Sequence, residues 1–228
     1  MLTLIHGDNT GQSRSYYLDI KNHYTNIKVL NADKLNLTDL IEAVEGDGLF
    51  STIDAVFIEL LFSKKKAGAE LDAIVAYLNK QESTIVLWEG KELTKAQAGK
   101  VKNATIKLFS FPKTLFQLLD ALQPHNGKQL ITLFHQTLQN EAAELILFML
   151  TKQVRILLAL QNRSTETISE AKFIQSWQIG KLQKQAKSFS SEQLQSLHNK
   201  LYAFDIGYKT GGLATPLESS LDFFFAEI

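Results

Sequence analysis

The pattern of predicted secondary structure changes once along this chain, close to Pro112. Before that point, short apolar runs typical of buried strands alternate with segments of helical periodicity. After it, every segment with a clear period is helical. Because strands that are apolar on both faces need cover on both sides, the alternation predicts a parallel sheet between two helical layers. We therefore predict an α/β domain over residues 1–111 and an all-helical domain over residues 112–228.

The individual segments follow from the same periodicities. Strands are predicted at residues 2–5, 27–30, 55–60, 84–88 and 105–109. Helices are predicted at residues 11–23, 37–44, 68–79, 94–102, 116–122, 128–139, 141–160, 171–189, 192–209 and 217–226. Asn36 or Thr38 can cap the second of these helices. Pro112 stops a strand and favours the start of a helix, so the domain boundary is placed there.

Charge and composition limit the partners of such a chain. Its 228 residues carry 24 basic and 24 acidic side chains, and neither half is strongly basic, so tight binding to nucleic acid by the chain alone is not expected. The lack of cysteine excludes thiolate chemistry and predicts a reducing, cytoplasmic setting. The apolar stretch at residues 145–160 contains Lys152 and Arg155, so it is predicted to be a buried helix, and no contact with a membrane is expected.

The loop at residues 6–14 stands where a phosphate-binding loop lies in many nucleotide-binding α/β proteins. A functional loop has the pattern G-x-x-x-x-G-K-[ST], in which backbone N–H groups surround the phosphates and the lysine reaches them. Here Gly7 and Gly11 are one residue too close, and Gln12 replaces the lysine. We interpret the segment as a tight turn that caps a helix. An enzyme with a degenerate nucleotide site at this loop is an alternative hypothesis.

No other group of residues has the spacing of a catalytic or metal site. The five histidines are scattered, and the acidic residues of the second half are predicted to be solvated. We predict no catalytic residue, cofactor, metal or small-molecule substrate. Lys181, Lys184 and Lys187 recur along one side of a predicted helix. Such a stripe is typical of a solvated face or a protein interface, and it is also suited to contact the phosphates of DNA.

Leu49 and Phe50 form a large apolar pair within the run EGDGLFS at residues 45–51. Glycine and aspartate favour a turn, where little core is available to bury two such side chains. An exposed apolar pair is typical of a contact with a partner. The other interpretation is that both residues belong to the core of the first domain.

Motifs in both halves resemble those of one known family. In the first half these are LIHGD at residues 4–8, the Leu49-Phe50 pair, and FIEL at residues 57–60. In the second half they are FQLLDAL at residues 116–122, QVRILL at residues 153–158, Trp177, the pattern K-x-x-x-Q-A-x-x-F-S-x-E-x-L at residues 181–194, and L-x-x-x-D-x-x-x-K-x-G at residues 201–211. In this order they resemble the delta subunit of the bacterial DNA polymerase III clamp loader.

The resemblance implies a RecA-like or AAA+-like α/β domain without functional Walker motifs, followed by a helical collar through which loader subunits assemble. It implies that Leu49 and Phe50 enter a pocket on the sliding clamp and help to open the ring during DNA replication. The implied partners are the clamp, the other loader subunits, which would hydrolyse ATP, and DNA within the complex. The family's three-helix lid is missing here, because only a few residues separate the last strand from Pro112. A further hypothesis is an adaptor whose helical half scaffolds an unrelated complex.

Overall fold

A computed structural model describes residues 1–46, 53–162, 164, 169 and 174–228. The chain divides into two compact units, Met1–Phe111 and Pro112–Ile228. Pro112 is the residue that precedes the first helix of the second unit, in an extended conformation.

Met1–Phe111 contains a sheet with helices between its strands. The strands are β1 (Leu2–His6), β2 (Ile27–Asn31), β3 (Ala55–Glu59), β4 (Ile85–Trp88) and β5 (Ala104–Leu108). The helices are α1 (Thr10–Lys21), α2 (Leu37–Glu45), α3 (Leu61–Lys64), α4 (Ala69–Leu78) and α5 (Lys95–Ala98). The described strands pair in the order β2-β3-β4-β1-β5, and each of these pairings is parallel. The predicted α/β fold with a parallel sheet is confirmed.

Side chains of β1, β3 and β4 are buried on both faces of the sheet, as their apolar sequences predict, whereas residues of the edge strands β2 and β5 are half-buried or exposed. On one face Leu4 and Ile58 belong to a core cluster that includes the buried side of α4. On the other face Ile5 and Phe57 pack with Tyr17 of α1. Neighbouring residues of a strand point to opposite faces. A strand buried on both sides is therefore largely apolar and lacks a regular polar alternation, although β1 also buries Thr3 and His6.

Two helices of this unit differ from the prediction. The short helix α3 is absent from the predicted elements. It follows Leu60, whose φ of 64° is left-handed, and the buried Glu89 carboxylate accepts hydrogen bonds from the Phe62 N–H and the Ser63 hydroxyl, each at 2.6 Å. Burial raises the pKa of Glu89, and these hydrogen bonds act in the opposite direction. The second difference is α5, which ends at Ala98 although its periodicity predicts a helix to residue 102.

Pro112–Ile228 is helical, as predicted, and its described residues contain no strand. The helices are α6 (Lys113–Asp120), α7 (Gly127–Leu138), α8 (Ala143–Gln161), α9 (Ser176–Lys187), α10 (Ser191–Thr210) and α11 (Leu217–Ala226). The helix predicted at residues 171–189 is α9, and residues 171–173 lie outside the described part of the chain. Phe134, Phe224 and Phe225 form an aromatic cluster in this unit, in which the ring centre of Phe225 lies 5.2 Å from that of Phe134 and 5.5 Å from that of Phe224.

Residues 109–112 alone join β5 to α6, so no helix lies between the last strand and the helical unit. In the described part of the chain, we find no helix with the length and apolar character needed to span a membrane.

Candidate functional site

Leu49 and Phe50, the predicted contact pair, lie outside the described residues. In the sequence they fall in the connection between the end of α2 at Glu45 and the start of β3 at Ala55. Residues 45, 46, 53 and 54 of this connection are described, and they show how the chain enters and leaves it.

Both ends of this connection are anchored by hydrogen bonds. On the α2 side, the hydroxyl of Tyr77 in α4 donates to Glu45 Oε1 at 2.8 Å. Desolvation, together with this hydrogen bond, raises the pKa of Tyr77 to about 12. On the β3 side, Asp54 Oδ2 accepts from the backbone N–H groups of Thr25 at 3.2 Å and Asn26 at 2.9 Å. The chain therefore enters and leaves the connection at fixed points of the first unit.

The loop after β1 is a helix cap whose amide groups are largely bonded within the protein. Gly7 N–H donates to Lys91 O at 3.1 Å, and Asn9 N–H donates to Phe109 O at 3.0 Å. The Asn9 side chain accepts from Gln12 N–H at 3.2 Å and caps α1, which confirms the predicted turn. A Cβ atom on Gly7 would lie 2.0 Å from Phe109 O, so the loop is closed tightly against the end of β5. A phosphate loop needs such amide groups free to face its ligand.

Two glutamines from the family-like motifs form a buried network in the helical unit. Gln153 of α8 donates from Nε2 to Gln185 Oε1 of α9 at 2.7 Å. Gln185 Nε2 donates in turn to Leu119 O at 2.7 Å and Leu122 O at 2.9 Å, at the end of α6. These carbonyls lie at the C-terminal end of a helix, where no N–H group of the helix itself is available to bond them. The network thus joins three helices through polar groups removed from water.

The remaining motif residues cap helices or bury apolar side chains. Ser190 caps α10 in a capping box with Gln193. Its neighbour Phe189 is buried, and Phe189 O accepts from Gln161 Nε2 at 2.9 Å. The α10 helix ends at Gly211, whose φ of 70° is left-handed and favours glycine. The structure thus assigns framework roles to residues that the sequence identified only by resemblance.

Lys181, Lys184 and Lys187 lie exposed on α9. Lys181 Nζ forms an ion pair with Asp120 Oδ2 of α6 at 2.5 Å. An exposed pair of this kind contributes little to stability, yet it lowers the local positive charge. Of the predicted contact residues of the stripe, Lys184 and Lys187 are therefore the better placed to meet a phosphate, and their contact with DNA or protein stays a prediction.

The helical unit exposes several large apolar and aromatic side chains that the sequence does not identify as contact residues. Trp177 of α9 is 75% exposed and stands, with Phe116 of α6, beside a groove of about 480 Å³ between α6, α8 and α9. Tyr202 and Ile206 are exposed one turn apart on α10. Helical periodicity indicates which face of α10 they share, but it does not tell which face of a helix the rest of the protein covers.

The histidines do not assemble into a site. His6 is buried, its Nδ1 accepts from Leu93 N–H at 3.2 Å, and burial lowers its pKa while Glu92 acts in the opposite direction. Within residues 1–46, 53–162, 164, 169 and 174–228, no three His, Asp or Glu side chains are grouped to hold a metal ion.

Residues 113–224 match the family described as DNA polymerase III delta subunit, C-terminal domain. The helical unit therefore belongs to the delta subunit family, and the family predicted from the sequence is confirmed.

One similar solved structure is the DNA clamp loader delta protein (YqeN) of Bacillus subtilis. It is 13% identical in sequence, with a TM-score of 0.49, over 99% of this chain and 94% of that chain. No curated protein matches the sequence.

Proposed function

We propose that this chain is the delta subunit of a bacterial clamp loader, a cytoplasmic protein of DNA replication that binds and opens the sliding clamp and catalyses no reaction itself. The match of residues 113–224 to the delta subunit family carries the proposal. The glutamine network supports it, because residues that resemble family motifs build the framework of the helical unit.

ATP is hydrolysed by other loader subunits under this proposal. Support comes from the loop after β1, where the amide groups of Gly7 and Asn9 are bonded to carbonyls of the chain itself. Gln12 also stands where a nucleotide-binding loop has its lysine. This chain then contributes binding free energy to the complex, and its partners contribute the chemical step.

Clamp binding is assigned to Leu49 and Phe50. Burying an exposed Leu or Phe side chain stabilises a complex by about 1.5–3 kcal/mol each, and a few such anchors commonly dominate an interface. Binding opens the ring only if the open clamp is bound more tightly than the closed one, since equal affinity shifts no population.

Assembly with other loader subunits is assigned to the helical unit. The exposed Tyr202 and Ile206 of α10 offer apolar surface for such contacts. The unit has no lid before it, because only residues 109–112 join it to β5.

Reconstitution tests the proposed function. The purified chain is added to the cognate clamp, the remaining loader subunits, ATP and primed circular DNA, and loaded clamp is measured after gel filtration. We expect efficient loading only when the chain is present, and we expect the chain to co-elute with the loader. Equal loading without the chain would contradict the proposal, and failure to co-elute with any loader subunit would favour an unrelated adaptor.

Replacing Tyr77 by Phe is expected to weaken clamp binding moderately. The variant loses the hydrogen bond to Glu45 that anchors the α2 end of the connection carrying Leu49 and Phe50. One such bond is worth about 0.5–1.5 kcal/mol, which corresponds to a loss of at most about tenfold in affinity. Calorimetric titration with purified clamp measures the change.

Lys100→Ala is the matched control for Tyr77→Phe. It breaks an exposed ion pair, 2.6 Å long, between Lys100 and Asp72, which lies on α4 like Tyr77. The hydrogen bond between Tyr77 and Glu45 stays intact. We expect it to bind clamp like the wild type. If both variants lost affinity equally, the anchor would have no specific role.

The double variant Lys184→Gln/Lys187→Gln is expected to weaken binding of the assembled loader to primed DNA. Each lost phosphate contact should reduce the slope of log affinity against log salt by about 1. Fluorescence anisotropy at several salt concentrations measures the slope. Lys200→Gln is the control, because Lys200 is a lysine of the same unit that is already paired with Glu227. An unchanged slope in the double variant would assign the stripe to a solvated face or a protein interface.

A further inference from the structure

A guanidinium group from α1 occupies the carboxyl edge of the sheet in the first unit. Arg14 Nη1 donates to Glu59 Oε1, at the end of β3, at 2.9 Å. Arg14 Cζ also lies 4.7 Å from the ring centres of both Tyr17 and Trp88, the last residue of β4. The cation therefore meets one carboxylate and two aromatic rings, the kinds of partner that suit a planar guanidinium.

This edge is where an open parallel sheet binds ligands. Such ligands lie beyond the carboxyl ends of the strands, and β3, β4 and β1 are neighbours here. The helix that carries Arg14 is held at the same edge, because the Trp88 indole N–H donates to Ser13 Oγ at 3.3 Å. Tyr17 also packs edge-on against Phe57 of β3, with ring centres 5.4 Å apart. The two aromatic partners of the guanidinium are thus held by contacts that do not involve the cation itself.

We propose that the side chain of Arg14 fills a binding site at this edge of the sheet, and that this site binds a planar cation and not a phosphate. The Glu59 carboxylate and the negative faces of two aromatic rings favour a cation. The Gly7 and Asn9 amide groups of the adjacent loop, which would face an anion, are bonded to the protein's own carbonyls. The inference concerns the first unit alone and does not depend on the clamp-loader assignment.

Chemical rescue of an Arg14→Ala variant tests this role. Removing the guanidinium leaves Glu59 and the two rings without their cation, so we expect the melting temperature to fall by about 2–4 °C. Guanidinium chloride at low millimolar concentration is expected to restore part of this loss in the variant and to leave the wild type unchanged. Urea, which is planar but uncharged, is expected to restore nothing.

Trp88 gives a second, local readout. The chain has two tryptophans, so a Trp177→Phe background leaves the Trp88 signal alone. Added guanidinium is expected to change Trp88 emission saturably when Arg14 is Ala, and not when Arg14 is present. Lys64→Ala in the same background is the matched control, because it breaks an exposed ion pair with Asp33, 3.3 Å long, that involves neither ring. It should show no response to guanidinium.

Two results would overturn the proposal. The first is an equal response of the wild type and the Arg14→Ala variant to guanidinium, in stability and in Trp88 emission. The second is a saturable change of Trp88 emission when ATP with magnesium is added to the Trp177→Phe variant with Arg14 present, which would mean that this edge is open to a nucleotide. The second measurement needs no substitution of Arg14, so it decides the matter even if Arg14→Ala does not fold. Neither result bears on clamp binding.

Discussion

Gln185→Leu is expected to lower the free energy of unfolding of the helical unit by about 3 kcal/mol or more. The change removes the partner of three buried polar groups, Gln153 Nε2, Leu119 O and Leu122 O. A buried donor or acceptor left without a partner costs about 1–3 kcal/mol. Urea denaturation, followed by far-ultraviolet circular dichroism, measures the loss.

Two further variants make the test of the network specific. Gln183→Leu changes an exposed glutamine of the same helix and is expected to stay within about 0.5 kcal/mol of the wild type. Gln153→Leu/Gln185→Leu is expected to be more stable than the sum of the two single changes predicts, because neither glutamine is then left facing an absent partner. Additive effects, or a loss in Gln183→Leu equal to that in Gln185→Leu, would show that the network is not a coupled unit.

Leu49→Ala/Phe50→Ala is expected to weaken clamp binding by about 100-fold. Each truncation removes most of a side chain whose burial is worth about 1.5–3 kcal/mol, and 1.4 kcal/mol corresponds to a factor of ten in affinity. The effect should exceed that of Tyr77→Phe, because the anchor only positions the pair whereas the pair itself is assigned to the clamp. Titration of both variants with clamp compares them directly.

Fold integrity of the Leu49→Ala/Phe50→Ala variant has to be established separately. If the pair were core residues of the first unit, the double truncation would lower stability by several kcal/mol, since large core side chains changed to Ala cost about 2–5 kcal/mol each. We expect instead a free energy of unfolding close to that of the wild type. Lost stability together with lost clamp binding would favour the core interpretation.

Features decided by short-range chemistry could be predicted from the sequence. The apolar strands predict a sheet buried on both faces, and this holds for β1, β3 and β4 but not for the edge strands β2 and β5. The predicted bounds of the last helix, residues 217–226, match α11, because Pro216 precedes its first turn and fixes its start. Asn36 caps α2 by accepting from Asp39 N–H at 2.9 Å, one of the two caps considered.

Features that depend on distant residues could not be predicted in this way. The α3 helix is held by Glu89, which lies 27 residues beyond Phe62 in the sequence. The motif identifies Gln185 as a family-like residue, but its bond to Leu119 O spans 66 residues. Arg14 likewise meets Glu59 across 45 residues. Local periodicity contains no information about such pairs, because the fold alone brings them together.

Retention on immobilised sliding clamp shows whether Leu49 and Phe50 are needed for clamp binding. The wild type is compared with Leu49→Ala/Phe50→Ala and with Ile106→Ala/Leu108→Ala, which truncates two exposed apolar residues of β5 in the same unit. With all three proteins folded, we expect the clamp to retain the wild type and the β5 variant but not the Leu49→Ala/Phe50→Ala variant. Equal retention of all three, or retention of none, would rule out Leu49 and Phe50 as the clamp-binding pair.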